Sequence, residues 1–219
     1  MKRVLAIVGD YYHEAALAEQ SLRKVMEPYT GDGRVELTFA GREQLPGLLA
    51  DKPDLVVLFA ENRTDPATDE SKVWMTRDVE VRIEQYVAGG GAWLAWHSGM
   101  ASYPEDGPFV RMLKGRFLYH PAEHAVVTYT PVAGTALGDF GGPFGFLDEH
   151  YFVDCREDET TVFLRSGSVH GENIAGWFHP YGEGRVVCFA PAHLPDGLLH
   201  DDFARAMRRL VAWCLGFGA

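Results

Sequence analysis

LAWHSGMAS, Leu94 to Ser102, follows the glycine run Gly89-Gly90-Gly91, and its reading decides the fold. A hydrophobic strand runs straight into a turn whose tip is His97. In an open α/β sheet, ligands bind just past the carboxyl ends of strands. A strand-to-helix turn at that edge pushes one side chain into the cleft, as a nucleophile elbow does. The tip here is an imidazole, which transfers protons or binds a metal near neutral pH but is a rare covalent nucleophile. The plainer alternative is a histidine packed at the strand end and satisfied by a backbone carbonyl.

Outward from this turn, strand and helix patterns alternate. RVLAIVG (Arg3–Gly9), Val35–Phe39, DLVVLFA (Asp54–Ala60) and Ala92–Trp96 read as strands. The all-apolar centre of DLVVLFA suits a strand covered on both faces. Glu14–Glu27 reads as a helix, ended by Pro28, with Ala18, Leu22, Val25 and Met26 on one face. Glu70–Ala88 reads as a second helix, and Asp202–Leu215 as a closing one. The alternation predicts a doubly wound, mostly parallel α/β sheet flanked by helices. The second half changes character. Ala125–Pro131, Tyr151–Asp154, Val162–Ser166 and Ile174–Phe178 read as short strands, expected as an antiparallel extension or an excursion over the cleft. Arg185–Phe189 returns to the buried pattern, and the glycine-rich stretch Gly134–Gly145 reads as an irregular, mobile loop. Without repeats or linkers, residues 1–219 are expected to form one domain.

The 219 residues are 47% hydrophobic, enough for a substantial core. A net charge of −11 without a basic cluster argues against nucleic acid and anionic membranes as partners. MKRVLAIVGD is a poor signal peptide, because its apolar run stops at Gly9-Asp10. Cys155, Cys188 and Cys214 have no metal or redox spacing, and the last two sit in apolar runs as expected of buried free thiols. These features fit a cytoplasmic protein.

GGGAWLAWHSG (Gly89–Gly99), GRFLYHP (Gly115–Pro121), LDEHY (Leu147–Tyr151), GEGRVVCFAPAH (Gly182–His193) and YYHEA (Tyr11–Ala15) occur in an order that resembles the ThuA-like, trehalose-utilisation family. That family is a branch of the class I glutamine amidotransferase-like fold, itself flavodoxin-like. The resemblance places His97 where amidotransferases carry their cysteine, and His193 where they carry their histidine. Leu194-Pro195-Asp196 does not match the acid that follows in them. Glutaminase activity is therefore expected to be absent, since no thioester forms at an imidazole. Carbohydrate catabolism is what the resemblance implies about function.

His97 and His193, each at the end of a buried strand, are expected to meet across one pocket with Glu149 or His120 nearby. His97, His193 and Glu149 are the catalytic candidates. Asp148 and Glu149 are neighbours on extended chain and point opposite ways, so one faces the cleft while the other is free to bind backbone amides. Tyr151 shares the side of Glu149, where it either meets a sugar hydroxyl or packs in the core. His13, Glu14, Trp96, Ser98 and His120 complete the expected substrate-binding set, although Glu14 equally reads as a favourable acid in a first helical turn. His124, His150, His170, His179 and His200 are assigned to surface or hinge roles. Trp93 and Trp177 are assigned to the core. No HExxH, Walker or dinucleotide fingerprint is present. Two imidazoles and a carboxylate either hold a divalent ion such as Zn²⁺ or share protons without one; no cofactor is certain. Arg63 and Arg116 are the cations able to approach, yet no basic cluster is aimed at a phosphate. The reading is an enzyme acting on a sugar or keto-sugar by acid–base chemistry. A sugar-binding accessory protein, a metal-dependent hydrolase and a homo-oligomeric state stay open.

Overall fold

Apolar runs without polar alternation need cover on both faces, and the chain provides it. The computed structural model describes residues 1–138 and 140–217. Its elements are β1 (Lys2–Val8), α1 (Ala15–Thr30), β2 (Val35–Ala40), α2 (Leu45–Leu48), β3 (Leu55–Phe59), β4 (Arg63–Asp65), β5 (Asp69–Val73), α3 (Arg77–Ala88) and β6 (Ala92–Trp96). They continue with α4 (Pro108–Leu113), β7 (Gly115–Tyr119), β8 (Ala125–Pro131), β9 (Phe144–Asp148), β10 (Phe152–Cys155), β11 (Thr161–Ser168), β12 (Gly171–Tyr181), β13 (Gly184–Phe189), α5 (Pro195–Leu198) and α6 (Asp201–Leu215).

Among the described residues, one nine-stranded sheet runs in the order β2-β1-β3-β6-β13-β12-β11-β8-β9. From β2 to β13 the neighbours are parallel; from β13 to β9 they are antiparallel. The second half thus extends the sheet sideways. Trp93 and Trp96 lie on opposite faces of β6. Trp93 packs on Phe109 of α4 at 5.6 Å between ring centres, and Trp96 on Phe203 of α6 at 5.7 Å. Truncating a buried aromatic of this size costs about 3–5 kcal/mol, a large share of the roughly 5–15 kcal/mol that holds a domain folded. Trp177 is also fully buried. The three cysteines are free, and Cys188 and Cys214 are buried. No helix among the described residues is long and apolar enough to cross a membrane.

Several expectations are corrected. Helix α1 runs through Pro28 to Thr30. Proline lacks the N–H that would reach the Lys24 carbonyl, and Arg208 Nη2 donates to that carbonyl instead at 3.1 Å. Residues 70–76 are not helical. They form β5 and a bend, held where Trp74 N–H donates to the Asn62 carbonyl and Met75 N–H to Asn62 Oδ1, both at 3.1 Å. Among its described residues, the stretch 134–143 holds no helix or strand, as expected of an irregular segment, yet it is anchored to the core. Leu137 and Phe140 are buried in the core and β9 begins at Phe144; Asp139 lies outside the described residues. Strands β7 and β9 carry no alternation strong enough to have marked them.

His150 and His179 are buried, contrary to the surface or hinge assignment. The His150 ring bonds Ser166 and Ser168, at 2.9 and 2.8 Å. His179 donates from Nε2 to the Met112 carbonyl at 2.9 Å. Burial outweighs that bond and lowers the His179 pKa to about 4. An unfolded histidine takes up its proton near pH 6.5. The stabilisation from keeping this ring neutral is therefore full above that pH and lost as pH falls towards 4. A His179→Gln variant is expected to lose less melting temperature than wild type between pH 7 and pH 5. Equal losses in a thermal scan would contradict this.

Candidate functional site

The parallel half of the sheet has the order 2-1-3, so its switch point lies between β1 and β3, where open α/β sheets bind ligands. The segments leaving the carboxyl ends of β1, β3, β6 and β13 carry Asp10 and His13, Glu61, His97, and His193. The antiparallel extension adds the end of β9, with Asp148 and Glu149.

His97 opens a 3-10 turn in the left-handed region, with φ of 47°. That conformation is uncommon for residues other than glycine. A Cβ on Gly99 would lie 2.2 Å from the Leu58 carbonyl oxygen, so only glycine lets this turn close on β3. His97 Nδ1 lies 2.7 Å from the Ala190 carbonyl. A carbonyl only accepts, so Nδ1 carries the proton there, and in the neutral ring Nε2 presents a lone pair. His13 has the same arrangement. Its Nδ1 lies 2.6 Å from Asp10 Oδ1. Burial pushes the Asp10 carboxyl up, but His13 and the backbone amides of Glu61 and Tyr12 outweigh it and bring it to about 2.

Glu149 stands among these rings with its side chain 11% exposed. Its Oε2 lies 3.5 Å from His97 Nε2 and 3.4 Å from His193 Nδ1. Its Oε1 lies 3.7 Å from His120 Nε2 and 3.8 Å from His124 Nε2. Burial raises the Glu149 carboxyl, yet the facing histidines, His97 foremost, bring it down to about 2. Burial and the neighbouring His97 lower His193 to about 4, leaving a neutral ring. One ligand atom from each of His13, His97, Glu149 and His193 lies within 4.8 Å of the others. His13 Nε2, His97 Nε2 and His193 Nδ1 are buried and without hydrogen-bond partners.

Asp148 and Glu149 divide their tasks. Asp148 is fully buried; its Oδ1 accepts the His193 and Leu194 amides at 2.8 and 3.3 Å, and its Oδ2 the Tyr129 hydroxyl at 3.0 Å. It positions the His193 loop while Glu149 faces the cluster. Tyr151 stacks on His97 at 3.8 Å between ring centres. His13, His120, Glu149, Tyr151 and His193 line a pocket of about 370 Å³.

Four expected binding residues are not brought to that pocket, Asp148 being the first, since it is buried behind it against the His193 loop. Glu14 is exposed at the N-cap position of α1, where its side chain makes no capping bond. Trp96 is fully buried, with its indole N–H on the Pro191 carbonyl at 2.7 Å. Ser98 is fully buried within the turn. His124 is exposed, as expected, and from the surface its Nε2 reaches the rim of the cluster, 3.8 Å from Glu149 Oε1. Asp10, Tyr12, Glu61 and Ser102 carry no site assignment from the sequence, and Arg63 only that of a cation able to approach. The available signal was position: Asp10 and Glu61 stand just after apolar strand runs, where a carboxylate has no packing use.

A family model described as ThuA, trehalose utilisation, matches residues 3–214. Among solved structures, a ThuA-like protein of Parabacteroides merdae superposes with a TM-score of 0.76 at 13% identity, covering 100% of this chain and 91% of the other. A cytoplasmic protein of Salmonella typhimurium gives 0.64 at 14% identity, covering 97% and 99%. A β-galactosidase of Bacillus circulans gives 0.61 at 12% identity over 99% of this chain but 31% of its own. At these identities the likeness is one of fold. Comparison with curated proteins returns no match.

Asp148→Ala is expected to orphan the buried His193 amide and the Tyr129 hydroxyl, at about 1–3 kcal/mol for each unsatisfied group. Asp148→Asn keeps one acceptor oxygen and loses less. Urea unfolding of the two variants checks the order; equal losses would show that the amide contact carries no stability.

Proposed function

The chain belongs to the ThuA family, and from that premise we propose that it is a divalent-metal-dependent enzyme acting on a sugar or keto-sugar. The observation that carries this reading is the convergence of His13 Nε2, His97 Nε2, His193 Nδ1 and a Glu149 oxygen within 4.8 Å. Two of the imidazoles have their Nδ1 protons committed outward, to Asp10 and to the Ala190 carbonyl. Metal-binding histidines are oriented by such outer partners. The donor set, neutral imidazoles and an ionised carboxylate, suits Zn²⁺ and neighbouring first-row ions.

A bound ion there supplies Lewis-acid polarisation of a sugar oxygen or activation of water. Tyr151 holds the His97 ring by stacking, and Asp148 holds His193 through its amide. His120 ties its Nδ1 to the Pro121 carbonyl at 2.8 Å and presents Nε2 beside Glu149 at the pocket. From there it can exchange a proton with a ligand oxygen. Arg63 is engaged by Glu61 and Glu70, and Arg116 by Glu105. No cation is thus left for a phosphate among these, which favours a neutral, polyhydroxylated ligand. The imidazole at the elbow supports the absence of glutaminase activity. The net charge of −11 argues against nucleic acid and membrane partners, and a cytoplasmic place of action fits the same features.

A second reading keeps the same residues without metal. A proton shared between His97 and Glu149 would also satisfy the facing lone pairs, and the depressed Glu149 pKa favours it. Metal content separates the two. After dialysis against Zn²⁺ or Mn²⁺, the protein is expected to retain about one ion per chain, held by three or four of these side chains with a position left for water or ligand. His97→Ala and Glu149→Gln should retain none. Asp10→Asn should weaken metal affinity by about 10- to 100-fold, the usual effect of losing an outer partner. Sugar turnover should stop on chelation and return with the ion. Turnover indifferent to chelation would select the proton-sharing reading. Sugar binding without any turnover would select a binding protein.

A further inference from the structure

Glu61 lines the same pocket on its β3 side, and its side chain is only 3% exposed. The donors around it are unevenly shared. Oε2 receives Arg63 Nε and Nη2, each at 2.9 Å, and the Ser102 hydroxyl at 2.7 Å. Oε1 is buried and has no partner. A buried carboxylate oxygen left without a donor is costly, and such exceptions call for a reason.

The backbone that carries this side chain is fixed at both of its polar groups. The Glu61 amide donates to Asp10 Oδ2 at 2.8 Å, and its carbonyl accepts the Trp74 indole N–H at 2.9 Å. Ser102 adopts a left-handed φ of 65° while its hydroxyl meets Oε2. Strain of this kind persists where the surroundings over-determine it, and it clusters at ligand sites. Asp10 joins the two ends of the pocket: its Oδ1 holds His13 and its Oδ2 holds Glu61.

We propose that Glu61 Oε1 is the acceptor for a hydroxyl of a neutral polyhydroxylated ligand, making Glu61 a specificity-determining residue of this pocket. The inference rests on the sugar-processing reading above. Arg63 compensates the Glu61 charge and is itself taken up by Glu61 and by Glu70 at 3.4 Å. The Glu61 end is therefore a carboxylate acceptor with no spare cation. An O–H donor gains a charge-assisted bond there, whereas a carboxylate or phosphate is repelled. Tyr12, half exposed on the same pocket, offers a ring face for the apolar side of a pyranose.

The test uses full-length protein dialysed against Zn²⁺ and titrated calorimetrically with trehalose, glucose, galactose, fructose, glucose 6-phosphate and gluconate. At least one neutral sugar should bind below about 10 mM, ahead of the two anions. Glu61→Gln should weaken that sugar by about 10- to 100-fold, the scale of a lost hydrogen bond to a charged group. Glu61→Asp retains the charge beside Arg63 if the glutamine variant fails to fold, and should also weaken binding. Wild type should discriminate against one monodeoxy analogue of the best sugar, and the variant should not; a merely structural role would leave that discrimination intact. Zinc content should equal that of wild type. Unchanged affinity, retained deoxy discrimination, loss of zinc with the sugar, or no neutral sugar bound by wild type would each overturn the assignment. Absence of zinc from wild type itself would sink the metal reading alone, because calorimetry reads the sugar separately.

Discussion

Buried lone pairs cannot face one another without positive charge between them, and that constraint organises this site. His13 and His97 turn their protons outward and their Nε2 atoms inward, towards an ionised Glu149. When the rings are neutral each of these groups accepts, and in a poorly solvated interior their mutual repulsion is not screened. A proton or a divalent cation relieves it. Four donors from separate elements suit a cation better than one proton, which bridges only two atoms at a time.

The fold delivers these donors through one geometric rule. Parallel strands end on one edge of the sheet, so residues far apart in sequence arrive together. His13, His97 and His193 follow β1, β6 and β13, and the antiparallel extension turns Glu149 in from the side. Rigidity comes from the layer behind. Asp10 fixes His13, the Ala190 carbonyl and the Tyr151 ring fix His97, and Asp148 fixes the His193 loop. Binding geometry held by strand ends and buried carboxylates is more exact than geometry left to mobile loops.

The parallel sheet and its edge were legible because β3 and β6 are short apolar runs ended by abrupt turns. His97 and His193 are legible for the same reason, being polar groups placed just after the apolar runs of β6 and β13, whereas Glu149 stands out only through the LDEHY motif that resembles the ThuA-like family. Other features depended on distant partners. Nothing local in Glu70–Thr76 announces that Asn62 will hold it extended, and its charged composition suits a helix equally well. Pro28 reads as a helix end until Arg208, far along the chain, supplies the missing donor. Asp10 and Glu61 look like ordinary loop acids, and their value lies in what they grip across the cleft. Trp96 and Ser98 suggest themselves by adjacency to His97, but the sharp turn sends only one of three consecutive side chains towards Glu149.

X-ray absorption at the cobalt edge of the Co²⁺-loaded protein tests the central claim most directly. A first shell of imidazole nitrogens from His13, His97 and His193 with oxygen from Glu149 is expected, at about 2.0–2.2 Å. The multiple-scattering pattern of the rings should fade when His97 is replaced by alanine. An oxygen-only shell, or no cobalt retained at equimolar metal, would contradict it.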